Sequence, residues 1–181
     1  FVSGAAQHSR YEATPESRDQ ANPVTGLPNK RHFDESLERE FGLAIRGGTP
    51  LSVVFFEIDR FNTVVDAIGR ASADQLLDQF GSFLNKKRRR NNAFAHFWGE
   101  EFAMVVTGIK PEGVRMLAEG LRSAVAQQAF SVDGSPVALT ISLGGAHLNE
   151  DTPSAEDLVE AADQNLYTAK ESGRNCFYDE V

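Results

Sequence analysis

The sequence contains very little sulfur and no long apolar stretch. Cys176 is the only cysteine among 181 residues, so no internal disulfide can form. No run of about 18 apolar residues occurs, which argues against a membrane-spanning helix. Residues 1–10 also lack the basic and then apolar order of a secretory signal. These absences predict a cytoplasmic protein that does not insert into a membrane.

Positive charge is also scarce. The chain has 18 Lys and Arg residues against 26 Asp and Glu residues, which gives a formal net charge of −8. Because a field of this sign repels a polyanion, nucleic acid is not predicted as a partner. Any nucleotide bound by this chain must therefore be held by local contacts, together with a cation.

The chain does contain enough apolar residues to form the core of one domain. With 41% hydrophobic residues over 181 positions, the chain can build a single core. Residues 1–22 are polar and lack periodicity, which is typical of a linker or of the end of an upstream signalling helix. We therefore predict that the folded domain spans residues 23–181.

Hydrophobic periodicity predicts helices that alternate with strands and one hairpin in the middle of the chain. The first helix carries an apolar stripe of Phe33, Leu37, Phe41 and Ile45. This pattern predicts an α/β (α+β) fold in which helices cover a sheet. The predicted helices are 30–45, 71–87, 111–128 and 155–172, and the predicted strands are 51–58, 93–97, 102–106, 137–143 and 175–178.

Three glutamates are the first candidates for chemistry. Glu57 ends a buried strand, and Glu100 and Glu101 form the tip of the hairpin. If the two elements are neighbours in one sheet, their oxygens converge at one edge, as a Mg²⁺ site requires. The alternative is that these residues only mark a strand exit and an ordinary turn.

Two basic residues near the C-terminus are open to two interpretations. Lys170 and Arg174 lie four positions apart at a helix end. Such cations can bind phosphate, or they can offset the helix dipole. His96 and His147 have no metal-ligand spacing and are interpreted as structural.

Five segments of the chain form a recognisable set when taken in order. They are NPVTGLPN (22–29), FEIDRF (56–61), GEEF (99–102), TISLG (140–144) and DQNLYTAKESGRN (163–175). Together they resemble the opening turn, strand exit, hairpin signature, T-x-S-x-G strand and C-terminal helix of the GGDEF domain of diguanylate cyclases. The signature here has tryptophan in place of the family's first glycine.

The resemblance implies a fold like the palm of nucleotide cyclases and polymerases, with a central, mostly antiparallel sheet flanked by helices. It implies a reaction that joins two GTP molecules into cyclic di-GMP, in an antiparallel homodimer that an upstream sensor domain controls. Mg²⁺ or Mn²⁺ would be held by Glu57, the carbonyl of Ile58 and Glu100. Glu100 and Glu101 would be the catalytic carboxylates. Substrate-binding residues would be Asp74 at guanine, and Asn62, Gly99, Lys170 and Arg174 around the phosphates.

Four departures from the family pattern predict an eroded GTP site. Trp98 stands where a glycine usually permits positive φ, and a strained residue there would cost about 1 to 3 kcal/mol. Val65 replaces the asparagine that reads guanine, which removes a hydrogen bond. Asn62 replaces a lysine, and Glu57 replaces an aspartate. Together they predict a weak or inactive cyclase, or alternatively a non-catalytic binding or dimerisation module.

The family's inhibitory product site, R-x-x-D, reads Arg89-Arg90-Asn91-Asn92 in this chain. Arg89 retains the guanidinium that would clamp a phosphate of cyclic di-GMP. Asn92 offers an amide where the family has a carboxylate, so its grip on guanine would be weaker. The alternative is a solvated basic turn without a ligand.

Overall fold

The computed structural model describes residues 19–180; residues 1–18, which make up most of the predicted linker, lie outside the described part, as does residue 181. No helix of the described part is long and apolar enough to span a bilayer. The helices are α1 (Lys30–Gly47), α2 (Phe61–Ile68), α3 (Arg70–Lys87), α4 (Pro111–Gln127) and α5 (Ala155–Glu171). The strands are β1 (Leu51–Ile58), β2 (Asn92–Trp98), β3 (Glu101–Thr107), β4 (Phe130–Val132), β5 (Ser135–Val137), β6 (Ile141–His147) and β7 (Phe177–Tyr178).

Five of these strands form one sheet in the order β2-β3-β1-β6-β7. The pairs β2–β3, β3–β1 and β1–β6 are antiparallel, and only β6–β7 is parallel. Strand β1 lies at the centre and is apolar along nearly its whole length because both of its faces are covered. The predicted α+β fold with a mostly antiparallel sheet is therefore confirmed.

The alternation of side chains along β1 divides the core into two layers. Phe56 faces the layer that contains Phe80 of α3 and Phe102 of β3. Phe55 faces the opposite layer, where it packs against Phe33 of α1 at 5.8 Å between ring centroids. Helices α1 and α5 therefore share one face of the sheet, and α3 and α4 share the other.

The apolar stripe predicted for α1 is partly wrong. Phe33 and Leu37 are buried, but Ile45 is 55% exposed and Ala44 is buried instead. A spacing of exactly four residues drifts away from the 3.6-residue helical period, so the last member of such a stripe rotates out of the interface.

One short helix and one short hairpin were not predicted. Helix α2 has only eight residues, and Gly69 (φ 82°) separates it from α3. Strands β4 and β5 form a small hairpin around Asp133 and Gly134, both at positive φ. Val137 belongs to this hairpin, so β6 begins at Ile141 and not at residue 137.

Candidate functional site

The carboxylates that the sequence singled out come together at the ends of two neighbouring strands. The register of β1 and β3 places Glu57 directly opposite Glu101. The next residue, Ile58, donates its backbone N–H to the carbonyl of Glu100 at 3.2 Å. Because the N–H and carbonyl of a strand residue face the same neighbour, the Ile58 carbonyl also faces the hairpin tip.

Helix α5 brings a cation to this carboxylate cluster. Lys170 Nζ donates to Oε2 of Glu57 at 2.8 Å, and this hydrogen bond raises the pKa of Lys170. The Glu57 side chain is 17% exposed and the Lys170 side chain is 35% exposed, so the ion pair is partly shielded from water. Arg174 follows the helix end, is exposed and has φ 65°.

Close packing between α5 and β6 sets the position of Lys170. A Cβ atom on Gly144 of β6 would lie 1.9 Å from the backbone nitrogen of Leu166, so only glycine permits this approach. The Asn165 side chain adds a hydrogen bond to the carbonyl of Gly145 at 2.8 Å. The TISLG segment therefore provides part of the surface against which α5 packs.

The pKa of Glu101 is raised by its surroundings in the carboxylate cluster. Burial raises its pKa most, and the negative charges of Glu57, Glu100 and Asp163 raise it further, while the Trp98 side chain opposes the shift. Glu101 also lines a cavity of about 290 Å³ beside α1 and α5. Surplus negative charge of this kind favours the binding of a cation.

Glu101→Gln is expected to raise the melting temperature at pH 7. A carboxyl group whose pKa is higher in the folded chain destabilises the fold above that pKa and has no effect below its ordinary value of 4.5. Because Glu101 is only partly buried, we expect a gain on the order of 1 °C. Thermal melts of both proteins from pH 4 to 8 test this, and a gain that persists at pH 4 would contradict it.

The predicted strain at Trp98 is wrong. The described non-glycine residues with positive φ are Arg60, Asp133, Arg174 and Asn175, and Trp98 is not one of them. A register shift between His96 and Trp98 keeps Trp98 within β2, and the left-handed residue of the tip is Gly99 at φ 50°. The side chain of Trp98 is 56% exposed. The tip therefore tolerates tryptophan without backbone strain.

The side chains of His96 and Asn22 stabilise the hairpin by hydrogen bonds to its backbone carbonyls. His96 Nε2 contacts the Gly99 carbonyl at 2.7 Å and must donate to it, so Nδ1 accepts from the Thr25 hydroxyl at 2.9 Å. Burial lowers the pKa of this ring. The side-chain amide of Asn22 donates to the carbonyls of His96 and Phe97 at 3.3 and 3.2 Å. His96 is structural, as the sequence indicates.

Two of the predicted substrate-binding residues, Asn62 near the phosphates and Asp74 at guanine, lie on α2 and α3. Asn62 and Asp74 are exposed, and both side chains face solvent. Val65 is half-buried and packs against the core layer that contains Phe80. The substitution of asparagine by valine therefore extends the apolar core, and the role of Asp74 in binding guanine stays a prediction.

Asn92 is turned inward. It is 7% exposed, its side-chain oxygen accepts from the backbone N–H of Arg89, and its amide group contacts Met104 Sδ at 3.7 Å. Arg88, Arg89 and Arg90 line an open surface cavity of about 700 Å³, and Asn92 forms part of its wall. Asn92 thus builds the turn, and a contact between Asn92 and cyclic di-GMP stays a prediction.

Comparison with known proteins identifies the family. The family model "Diguanylate cyclase, GGDEF domain" matches residues 20–176. The chain belongs to the GGDEF family. The family predicted from the five segments is therefore confirmed.

Two curated relatives of this GGDEF domain are diguanylate cyclases. DgcP of Pseudomonas aeruginosa is 36% identical over 172 residues, which is 94% of this chain and 25% of that protein. DosC of Escherichia coli is 33% identical over 153 residues, which is 84% of this chain and 33% of that protein. The chain thus spans a quarter to a third of the length of these two relatives.

A solved structure shares the fold. The GGDEF domain of DgcB from Caulobacter crescentus, in complex with c-di-GMP, superimposes with a TM-score of 0.83 at 27% identity. The match covers 89% of this chain and 93% of that one. Coverage this broad shows that this chain and the solved domain share one fold.

The donor set of this GGDEF domain suits a cation that arrives with a substrate. Within residues 19–180, no three His, Cys, Asp or Glu side chains are grouped so that they could hold a metal ion alone. The predicted set has two carboxylates, Glu57 and Glu100, and the Ile58 carbonyl. Mg²⁺ commonly takes one or two carboxylates and completes its shell with water and substrate phosphates. The residues present therefore fit Mg²⁺ bound together with a nucleotide.

Proposed function

We propose that this GGDEF domain joins two molecules of GTP into cyclic di-GMP. The observation that carries the proposal is the pairing of Glu57 with Glu101 across β1 and β3, with Lys170 bonded to Glu57 at 2.8 Å. This arrangement offers carboxylates for a cation and an ammonium group for phosphates at one edge of the sheet. It is the charge pattern that phosphoryl transfer needs.

Glu57, Glu100 and the carbonyl of Ile58 would hold Mg²⁺ or Mn²⁺. When bound, the metal neutralises phosphate charge and makes the attacking hydroxyl more acidic. Glu101 lies on the same face of the sheet as Glu57, and its raised pKa makes it a stronger proton acceptor than an ordinary glutamate. We therefore assign Glu101 to accept the proton of the 3′-hydroxyl.

The remaining residues bind the substrate. Lys170 and Arg174 would hold the phosphates, with Asn62 and the backbone of Gly99 beside them, and Asp74 would hydrogen-bond guanine. Each 3′-hydroxyl forms a bond to the α-phosphorus of the other GTP, and pyrophosphate leaves. Because each subunit contributes one GTP, the proposal requires a homodimer. We place the domain in the cytoplasm, downstream of a sensor domain.

The proposed activity is weak because guanine recognition and phosphate charge are reduced at Val65 and Asn62. The test is incubation of the purified chain with GTP and either Mg²⁺ or Mn²⁺, with products separated by chromatography. Metal-dependent formation of cyclic di-GMP supports the proposal. Absence of product at protein concentrations that favour dimers would refute it.

Val65→Asn is expected to lower the KM for GTP. A restored hydrogen bond to guanine contributes about 0.5 to 1.5 kcal/mol, which corresponds to a roughly 2- to 10-fold change. The substitution should also lower the melting temperature, because Val65 packs against the core. Steady-state kinetics with Val65→Ala as the matched control separates the two effects. An equal KM in both variants would contradict the assignment.

A second candidate function is regulatory binding of cyclic di-GMP without turnover. The basic cavity formed by Arg88, Arg89 and Arg90 favours it, because guanidinium groups bind phosphates in bidentate fashion. Calorimetry with cyclic di-GMP tests this candidate. Binding that Arg89→Ala abolishes, in a chain that does not convert GTP, would select it over the cyclase.

A further inference from the structure

Three separate segments meet at the carboxylate of Asp59. Its Oδ2 accepts from the Thr140 hydroxyl at 2.7 Å and from the backbone N–H of Asn175 at 3.0 Å. Its Oδ1 accepts from the Ser142 hydroxyl at 2.6 Å. One side chain at the end of β1 therefore ties together the start of β6 and the loop that follows α5.

The loop after α5 needs such an anchor. Arg174 and Asn175 both have positive φ, at 65° and 46°, which is an unfavourable region for residues other than glycine. Conformations of this kind persist only where the surroundings enforce them. The bond from the Asn175 N–H to Asp59 supplies that enforcement, and Arg122 adds a contact to the Asn175 side chain at 2.9 Å.

The carboxylate of Asp59 is already occupied by protein donors. A carboxylate offers about four lone-pair positions, and Thr140, Ser142 and Asn175 use three of them. One position on Oδ1 is left, so a metal held by both oxygens would have to displace at least one of these bonds. The hydrogen bonds therefore indicate a role in geometry and not in metal ligation.

Asp59 links the two halves of the candidate site. It follows Glu57 by two residues, and its partner Asn175 directly follows Arg174 and lies five residues beyond Lys170. We infer that Asp59 is a positioning residue that sets where Lys170 and Arg174 stand relative to the carboxylate cluster. The inference rests on the proposed function, in which these two cations hold the phosphates of GTP.

Two substitutions at Asp59 separate positioning from charge. Asp59→Asn keeps an acceptor for Asn175 and can donate to the Ser142 oxygen, but it removes the negative charge. Asp59→Ala removes all three bonds. We expect Asp59→Ala to raise the KM for GTP by roughly 10- to 100-fold, since small misplacements of binding groups have effects of this size. Asp59→Asn should stay within about threefold of the wild type, as expected when hydrogen-bond geometry is kept.

The controls address folding. Asp151→Ala removes an exposed aspartate from a loop and should leave KM and kcat unchanged. Thr140→Val removes a single donor and should raise KM by only a few-fold, which keeps the test available if Asp59→Ala does not fold. A purely structural role would lower the melting temperature without changing KM. That result, or equal impairment of Asp59→Asn and Asp59→Ala, would overturn the inference.

Hydrogen exchange of the Asn175 amide provides a readout that does not depend on activity. In Asp59→Ala this amide keeps only its longer contact with the Ser142 hydroxyl oxygen, at 3.2 Å. Loss of the bond to Asp59 should therefore speed exchange by up to roughly tenfold, the change that corresponds to one hydrogen bond. Asp59→Asn should preserve protection. If the wild-type chain does not convert GTP, the proposed function fails, while unchanged exchange in Asp59→Ala overturns the positioning role separately.

Discussion

Glu57→Gln is expected to reduce formation of cyclic di-GMP by roughly 1000-fold, the effect typical of removing one preorganised electrostatic group from an active site. Glutamine can still accept the hydrogen bond from Lys170, which lies 2.8 Å from Glu57 Oε2 in the native chain. The substitution therefore removes the charge that faces the metal and keeps the local packing. Product formation at saturating Mg²⁺ measures the effect.

Two matched variants make this result specific. Glu38→Gln makes the same chemical change at an exposed position of α1 and should leave turnover unaltered. Glu57→Asp keeps the charge and has the side chain usual in the family, so turnover should be retained. A Glu57→Gln protein that stays within tenfold of the wild type would show that this carboxylate is not part of the reaction.

Gly144→Ala is expected to destabilise the domain by roughly 3 kcal/mol or more, at the upper end of the effects of overpacking. The added methyl group would lie 1.9 Å from Leu166 N and 2.5 Å from Ala162 O. Both contacts are backbone atoms of α5, so no side-chain rotation can relieve them. The whole helix would have to move, and Lys170 would move with it. Chemical denaturation with an unchanged m-value measures the loss.

A second glycine provides the control for this prediction. A Cβ atom on Gly120 of α4 meets no atom within 4 Å. Gly120→Ala should therefore stabilise the chain by about 0.5 to 1 kcal/mol through helix propensity. If Gly144→Ala proves as stable as the wild type, the close approach of α5 to β6 is contradicted.

The sequence predicts those parts of the molecule that follow from local patterns. The apolar run of β1 and the paired runs of β2 and β3 locate the strands because burial imposes their composition. The meeting of Glu57 with the hairpin glutamates follows once these strands are neighbours, as their register confirms. The short α2 and the β4–β5 hairpin are too brief to produce a periodic signal.

What the sequence does not predict depends on distant or conformational detail. Trp98 lies beside a register shift and the left-handed residue of the tip is Gly99, and residue type alone reveals neither. The role of Asp59 depends on partners 81, 83 and 116 positions away. Asn92 turns inward because its amide completes a turn. In each case the sequence identifies the residue, but its contacts form only in the folded chain.

The amide of Asn22 has a practical consequence for anyone who shortens this protein. This amide donates a hydrogen bond to the carbonyl of His96, which lies 74 residues later in the sequence, in the strand that leads to the hairpin tip. A version trimmed to start at Pro23 would keep every element of the sheet and yet leave two carbonyls next to the tip without their donor. The smallest fragment with an intact tip therefore begins no later than residue 22.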